Sequence, residues 1–159
     1  MKRNIYVDFT YLVVLAASFG AVITLGALVA PVIFNNSSLG MEIVLDRYNA
    51  GMMMAEIFRR FSYWLYGLAF YVLIYELYMY KLGQRDRYLF ISASVIVFTS
   101  LMFSAVYSPK ILAMQDLGRE AIQSDTFVSI HKASEIDFKI LAIALLVLFI
   151  RRLMLMKIN

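Results

Sequence analysis

The sequence predicts an all-α integral membrane protein, a bundle of four transmembrane helices that run up, down, up and down. Two observations support this prediction. The 159-residue chain is 62% hydrophobic and only 16% charged, whereas soluble domains carry about 25% charged residues. Its apolar residues form four stretches, at about 11–34, 61–80, 88–112 and 130–156. Each is close to or above the ~20 residues that a helix needs to cross a bilayer.

The apolar stretches are continuous, whereas the strands of a membrane barrel alternate between apolar and polar residues. The basic start at Lys2 and Arg3 is typical of a signal peptide, but the first stretch is too long for one. It also ends in "PVIF", which is not a cleavage motif of small residues. We therefore expect a retained first helix and a single membrane domain over residues 1–159. Two outer loops of about 20 residues leave no room for a soluble catalytic domain.

The basic residues lie mainly in the two tails and in the turn between the second and third stretches. They are Lys2, Arg3, Lys81, Arg85, Arg87, Arg151, Arg152 and Lys157. With four crossings these positions share one side, and the positive-inside rule places that side in the cytoplasm. We expect a multi-pass protein of the inner (plasma) membrane with both termini cytoplasmic. Basic residues beside a membrane favour lipid as the partner and argue against nucleic acid.

The two halves of the chain, about 8–82 and 86–159, resemble each other as a tandem duplication of a helical hairpin. Pro31 and Pro109 are 78 residues apart, and Glu56 and Glu135 are 79 apart. Because both halves start on the same side, the repeat would be parallel. Pro31, Pro109 and Gly51 are expected to mark helix ends. The alternative for the prolines is a helix break that exposes backbone carbonyls to a cation.

The outer ends of the second and fourth helices carry a predicted polar cluster. Its members are Glu56, Arg59, Arg60, His131, Ser134, Glu135 and Lys139. Acid-then-base pairs at i, i+4 stabilise helices, so one interpretation is a pair of self-neutralised helix ends. The other is a functional site, because intramembrane ionisable groups are usually functional. Glu76, near the inner face, belongs to the same category.

The depth of the fourth helix distinguishes these interpretations. Residues 140–150 are eleven apolar residues, about 16 Å of helix, or half of a ~30 Å hydrocarbon core. Either Arg151 and Arg152 dip inward, or the segment around Glu135 and Lys139 lies within the hydrocarbon.

A metal site is a further alternative. His131 and Glu135 would share one helix face, and the thioethers of Met52 and Met53, at the same level, suit Cu(I). The chain has one histidine and no cysteine, and it lacks phosphate-loop, zinc-protease and nucleophile–base motifs. We therefore expect no enzyme and no cofactor, with a metal ion left open. His131 has no counterpart in the first half, where Met52 stands in its place.

Three segments carry a family resemblance: "LGALVAPVIF" (25–34), "NAGMMMAEIFRRF" (49–61) and "HKASEID" (131–137). They resemble the four-helix bacterial membrane proteins of unknown function related to animal transmembrane protein 205. The matching residues are Ala50, Gly51, Ile57, Phe58, His131, Lys132 and Ser134, while Asp137 stands where asparagine is usual. "RRFSYWL" (59–65) resembles, more weakly, copper-resistance D-type membrane proteins. The first resemblance implies a membrane protein without an established activity, and the second implies metal handling.

The leading hypothesis is a small inner-membrane protein of transport or resistance type, with the polar cluster at its outer mouth. Four short helices leave little interior for a pore, so transport would require a homo-oligomer. The alternative is a non-catalytic accessory or structural subunit that docks a membrane-protein partner. Handling of copper or another metal ion is the second alternative.

Overall fold

A computed structural model describes residues 5–40 and 45–157, and this part of the chain is helical throughout apart from short connections. We number its four long helices α1 (Ile5–Phe34), α2 (Arg47–Lys81), α3 (Arg87–Asp116) and α4 (Asp125–Lys157). Short 3₁₀ turns lie at Asn36–Leu39 and Ala121–Gln123. The all-α prediction is confirmed. Lys2 and Arg3, which were used to predict the topology, lie outside the described residues.

Polar side chains fix where α2, α3 and α4 begin. The Asp46 carboxylate accepts a hydrogen bond from the Asn49 amide (2.8 Å), and Asp86 accepts from the amides of Tyr88 (2.9 Å) and Leu89 (3.2 Å). The Ser124 hydroxyl accepts from the amide of Phe127 (3.2 Å). Such caps satisfy amides that have no partner within the helix.

The outer connections are shorter than predicted. With 35 and 33 residues, α2 and α4 are each about 50 Å long, well beyond a ~30 Å hydrocarbon core. They begin at the capped residues above, so only 35–46 and 117–124 connect the outer helix ends. The predicted loops of about 20 residues are wrong because their polar residues continue the helices outward.

The four helices alternate in direction around a shared apolar interior. α4 packs between α1 and α3, and α2 packs on α3. Leu65, Ile96, Leu141, Leu145 and Leu148 are completely buried. The start of α1, the end of α2 and the end of α4 meet at one end of the bundle, where Tyr11 contacts both Tyr75 and Arg152.

Two of the four helices, α1 and α3, are long and apolar enough to cross a membrane, as judged by length and composition alone. The tyrosines of α2 and the charges near both ends of α4 make these two helices less apolar. The membrane prediction is therefore supported in a coarse form.

Each of these apolar helices contains a wide π turn just before its proline. The π segments are Thr24–Val29, followed by Pro31, and Phe103–Tyr107, followed by Pro109. Proline has no amide hydrogen for a helical bond, and a π turn shifts the bonding pattern locally so that the helix continues. Pro31 does lie near the end of α1, but α3 continues past Pro109 to Asp116. A tandem duplication would produce this symmetry, and the duplication stays a prediction.

Candidate functional site

The predicted polar cluster consists of two separate groups in the structure. On α2, Glu56 accepts hydrogen bonds from Arg59 (2.6 and 2.8 Å) and Arg60 (2.7 Å). These bonds lower the pKa of Glu56 to about 2. All three side chains are substantially exposed to solvent, from 41% for Glu56 to 75% for Arg60, so their pairing is the ordinary neutralisation of a helix surface.

On α4, His131 Nδ1 lies 3.4 Å from Glu135 Oε1, and the Ser134 hydroxyl donates to the His131 carbonyl (2.7 Å). Lys139 is exposed. Within residues 5–40 and 45–157, no hydrogen bond or ion pair joins this group to Glu56 and its arginines. The structure thus favours two self-contained helix ends over one converging site.

The candidate metal ligands are also divided between helices. Met52 and Met53 line an open surface groove on α2 together with Glu56, Ile57 and Arg60, and no residue of α4 contributes to it. Gly51 does not end a helix. It lies inside α2, where an added Cβ would be 3.3 Å from Gln115 Nε2. In the part of the chain that the structure describes, no three histidine, aspartate or glutamate side chains gather to hold a metal.

The most extensive polar site lies at the opposite end of the bundle. We name it the inner clamp: Asp8, Tyr11, Tyr75, Glu76, Gln84 and Arg152. Arg152 is 2% exposed, and its Nε donates to Glu76 Oε1 (2.9 Å) while Nη2 pairs with Glu76 Oε2. Its Nη1 donates to Gln84 Oε1 (2.5 Å). All three guanidinium nitrogens of Arg152 therefore have a hydrogen-bond or ion-pair partner.

Two tyrosines complete the inner clamp. The rings of Tyr11 and Tyr75 are stacked, with centroids 3.6 Å apart, and the Arg152 guanidinium lies 5.0 Å from the Tyr75 ring. Tyr11 donates to Glu76 Oε1 (2.8 Å), and Tyr75 donates to Asp8 Oδ1 (2.6 Å). The inner clamp thus ties α1, α2, α4 and the α2–α3 turn together through directional bonds.

A second ion pair lies beside the inner clamp. Arg151 donates to Asp86 Oδ2 through Nε (3.0 Å) and Nη2 (2.5 Å), and these hydrogen bonds lower the pKa of Asp86. Because Asp86 also caps α3, this pair joins the end of α4 to the start of α3. All four helices are then linked by polar contacts at one end.

The two arginines near the end of α4 differ in burial. Arg152 turns into the bundle while Arg151 stays at the surface, and the depth of α4 in a membrane stays a prediction. The sequence contained the signal, because Leu141, Leu145, Leu148 and Arg152 follow each other at helical spacings of four, three and four. This periodicity places Arg152 on the buried face, but its position in a basic tail favoured an interpretation as a topology signal.

These features define the class as an all-helical bundle with two membrane-capable helices and a buried ion-pair network at one end. The chain belongs to a family described as a domain of unknown function (DUF4149), whose model matches residues 13–120. Comparisons with curated proteins and with solved structures find no match. The family match shows no link to transmembrane protein 205 or to copper-resistance proteins, and those resemblances stay predictions.

Proposed function

We propose that all four helices cross the inner membrane and that both termini lie in the cytoplasm. Every helix presents large apolar side chains outward, including Val13 and Ile23, Phe70 and Ile74, Phe90 and Phe98, and Ile143 and Val147. A belt of this kind is unfavourable in water and is expected in lipid. Arg85, Arg87 and Arg151 lie at the inner-clamp end, which the positive-inside rule assigns to the cytoplasm.

Within this topology, the protein is of transport type, and the inner clamp closes its cytoplasmic end. The observation that carries the proposal is the buried Arg152–Glu76 pair, bonded to Tyr11 of α1 and Gln84 of the α2–α3 turn at one end of the bundle. Directional bonds of this kind have discrete broken and formed states, which alternating closure requires. Buried ionisable groups in membrane bundles commonly mark such pathways.

An accessory subunit without transport is the second candidate, and the filled interior favours it. Leu65, Ile96, Leu141 and Leu145 are completely buried in the middle of the bundle. Along the described residues, these side chains fill the interior of a single chain, so transport needs either helix rearrangement or a homo-oligomer. No contact among the described residues favours copper handling over these two candidates, since Met52 and Met53 line a groove on α2 to which His131 and Glu135 do not contribute.

The absence of cysteine from the sequence permits a test that needs no known substrate. Single cysteines at exposed Arg85 and Gln123 report topology through a membrane-impermeant maleimide applied to either face of vesicles. Labelling of the two positions from the same face would contradict the four-span proposal.

A cysteine at buried Ala93, on α3, reports access past the inner clamp. If the protein is a transporter, the cysteine at Ala93 is protected from the maleimide in the otherwise unchanged chain. It becomes labelled from the cytoplasmic face once Glu76→Gln breaks the ion pair. The Asp86→Asn background is the matched control and keeps Ala93→Cys protected. A cysteine at buried Ile96, one turn deeper, tests for unfolding, since a collapsed fold exposes both positions. Protection of Ala93→Cys in every background favours the accessory subunit.

A further inference from the structure

One buried acid belongs neither to the exposed helix ends nor to the inner clamp. Asp137, in α4, is 7% exposed, and its Oδ2 is shielded from solvent without a hydrogen-bond partner. It lies fifteen residues before Arg152, about 22 Å along the helix. Burial of a carboxyl group without a partner costs a few kcal/mol, so its retention in the interior calls for a physical reason.

Two further buried oxygens without a hydrogen-bond partner lie on α3. The rings of Phe103 and Phe138 are 5.0 Å apart, which sets the register between α3 and α4. Ser104 and Asp137 follow and precede these two rings on antiparallel helices, so the two buried residues lie at the same height along the bundle. Ser104 and Ser100, one turn deeper on α3, are buried with hydroxyls that have no partner. We name Asp137, Ser104 and Ser100 the outer polar layer.

Both π segments flank this layer. The segment in α3, Phe103–Tyr107, includes Ser104. The segment in α1 contains Gly26, at which an added Cβ would be 3.8 Å from the Phe138 ring. Wide turns disturb the regular backbone hydrogen bonding and often occur at functional sites. In membrane proteins, irregular backbone is tolerated where it lines a site.

We propose that the outer polar layer binds a small monovalent cation, a proton or Na⁺, on the Asp137 carboxylate. The donors are oxygens, and one negative charge matches one positive charge. Among the described residues no basic side chain pairs with it: Lys132 and Lys139 on the same helix are exposed, and Arg59 and Arg60 on α2 are paired with Glu56. The residues packed around the neighbouring Phe138 ring carry no charge: they are Gly26 from α1, Phe58 and Phe61 from α2, and Phe103 from α3.

In a transport protein this cation is the coupling ion, and that role alone rests on the proposed function. Cation binding itself stands on the geometry of the layer. A divalent ion is disfavoured because it would be held by one carboxylate only, with no second acid in the layer.

A hydrophobic carbodiimide tests the proposal, since it modifies protonated carboxyl groups in apolar surroundings. The purified full-length protein in detergent is treated over a range of pH with K⁺ or Na⁺ as the salt, and adducts are located by mass spectrometry. We expect one adduct on Asp137, absent from Asp137→Asn, that forms about tenfold more slowly for each pH unit above the titration midpoint. If Na⁺ slows the modification of Asp137 and K⁺ does not, the bound cation is sodium. If only a rise in pH slows the modification, the bound cation is the proton.

Ser104→Ala is expected to shift the pH or the Na⁺ concentration that halves the rate, whereas Ser92→Ala, a buried serine in another layer of α3, leaves both unchanged. An Asp137 adduct that forms at the same rate at every pH and with either salt overturns the proposal. Modification of Glu76 or Asp8 instead, or no modification, also overturns it. The Ala93 reporter is independent of this result, so the cation site can stand even where transport fails.

Discussion

The inner clamp and the outer polar layer are both buried polar regions, yet they differ in whether their groups are bonded. In the inner clamp, Arg152 and Glu76 neutralise each other and bond Gln84 and Tyr11 as well. In the outer polar layer, Asp137, Ser104 and Ser100 each keep an oxygen without a partner. Buried polar groups are normally bonded, so the first region is satisfied internally, whereas the second keeps oxygens that are free to accept a bond.

The largest expected effect is the loss of the inner clamp's cation. Arg152→Met leaves Glu76 buried without its partner, which typically costs about 3–5 kcal/mol. We expect the free energy of unfolding in detergent, measured by denaturant titration, to fall by this amount.

The double variant Arg152→Met/Glu76→Met separates pairing from packing. A buried ion pair can often be replaced by apolar residues at little cost, so the double variant should recover most of the lost stability. A double variant as unstable as the single one would mean that the shape of Arg152, above the Tyr75 and Tyr11 rings, matters more than its charge.

The outer polar layer should respond in the opposite direction. Asp137→Asn removes no hydrogen bond or ion pair among the described residues and replaces an acid by an amide that costs less to bury. We expect the free energy of unfolding to rise by about 1 kcal/mol, measured as for Arg152→Met. A loss of several kcal/mol would show that Asp137 is a structural residue bonded in the folded protein.

The sequence specified the fold more completely than the site. Hydropathy and the alternation of basic and neutral connections predicted four helices with their tight turn, because burial in lipid or protein demands continuous apolar stretches. Hydropathy could not predict where α2 and α4 begin. The segments that Asp46 and Ser124 cap are too polar to be recognised as membrane helix. The π turns were also hidden, because prolines indicate a break without showing how the helix continues.

The charges near the helix ends were a misleading guide to the position of the functional site. His131, Glu135 and Lys139 are conspicuous in sequence but lie on exposed or half-exposed faces. Asp137 shares the face of Ser134, Leu141 and Arg152, and helical periodicity alone could have identified it as buried. The partners of Arg152 could not be predicted, because Tyr11, Glu76 and Gln84 come from segments far apart in the chain and only packing brings them together.

The ion pair beside the inner clamp predicts a pH dependence. Arg151 lowers the pKa of Asp86 in the folded protein, so the pair stabilises the fold above the ordinary aspartate pKa of about 3.9. This contribution is lost as the pH falls through the lower folded value. Asp86→Asn should cost at most about 1 kcal/mol at neutral pH and nothing at strongly acidic pH.

Asparagine caps a helix as well as aspartate does, so this substitution removes the ion pair while keeping the start of α3. Unfolding is measured for both proteins at neutral and at strongly acidic pH. An equal difference between them at both pH values would assign the effect to the helix cap, since the ion pair contributes only while Asp86 is charged.

The smallest effect is expected at the predicted polar cluster on α2. Glu56 has short hydrogen bonds to Arg59 and Arg60 and a pKa lowered to about 2, but its side chain is 41% exposed. Solvent and salt screen such surface pairs, and many contribute nothing measurable. Glu56→Gln should therefore leave the thermal midpoint unchanged at high salt and lower it only slightly at low salt. A salt-independent loss of stability would mean that Glu56 is enclosed by a partner or a second copy of the chain, and the outer helix ends would then be an interface.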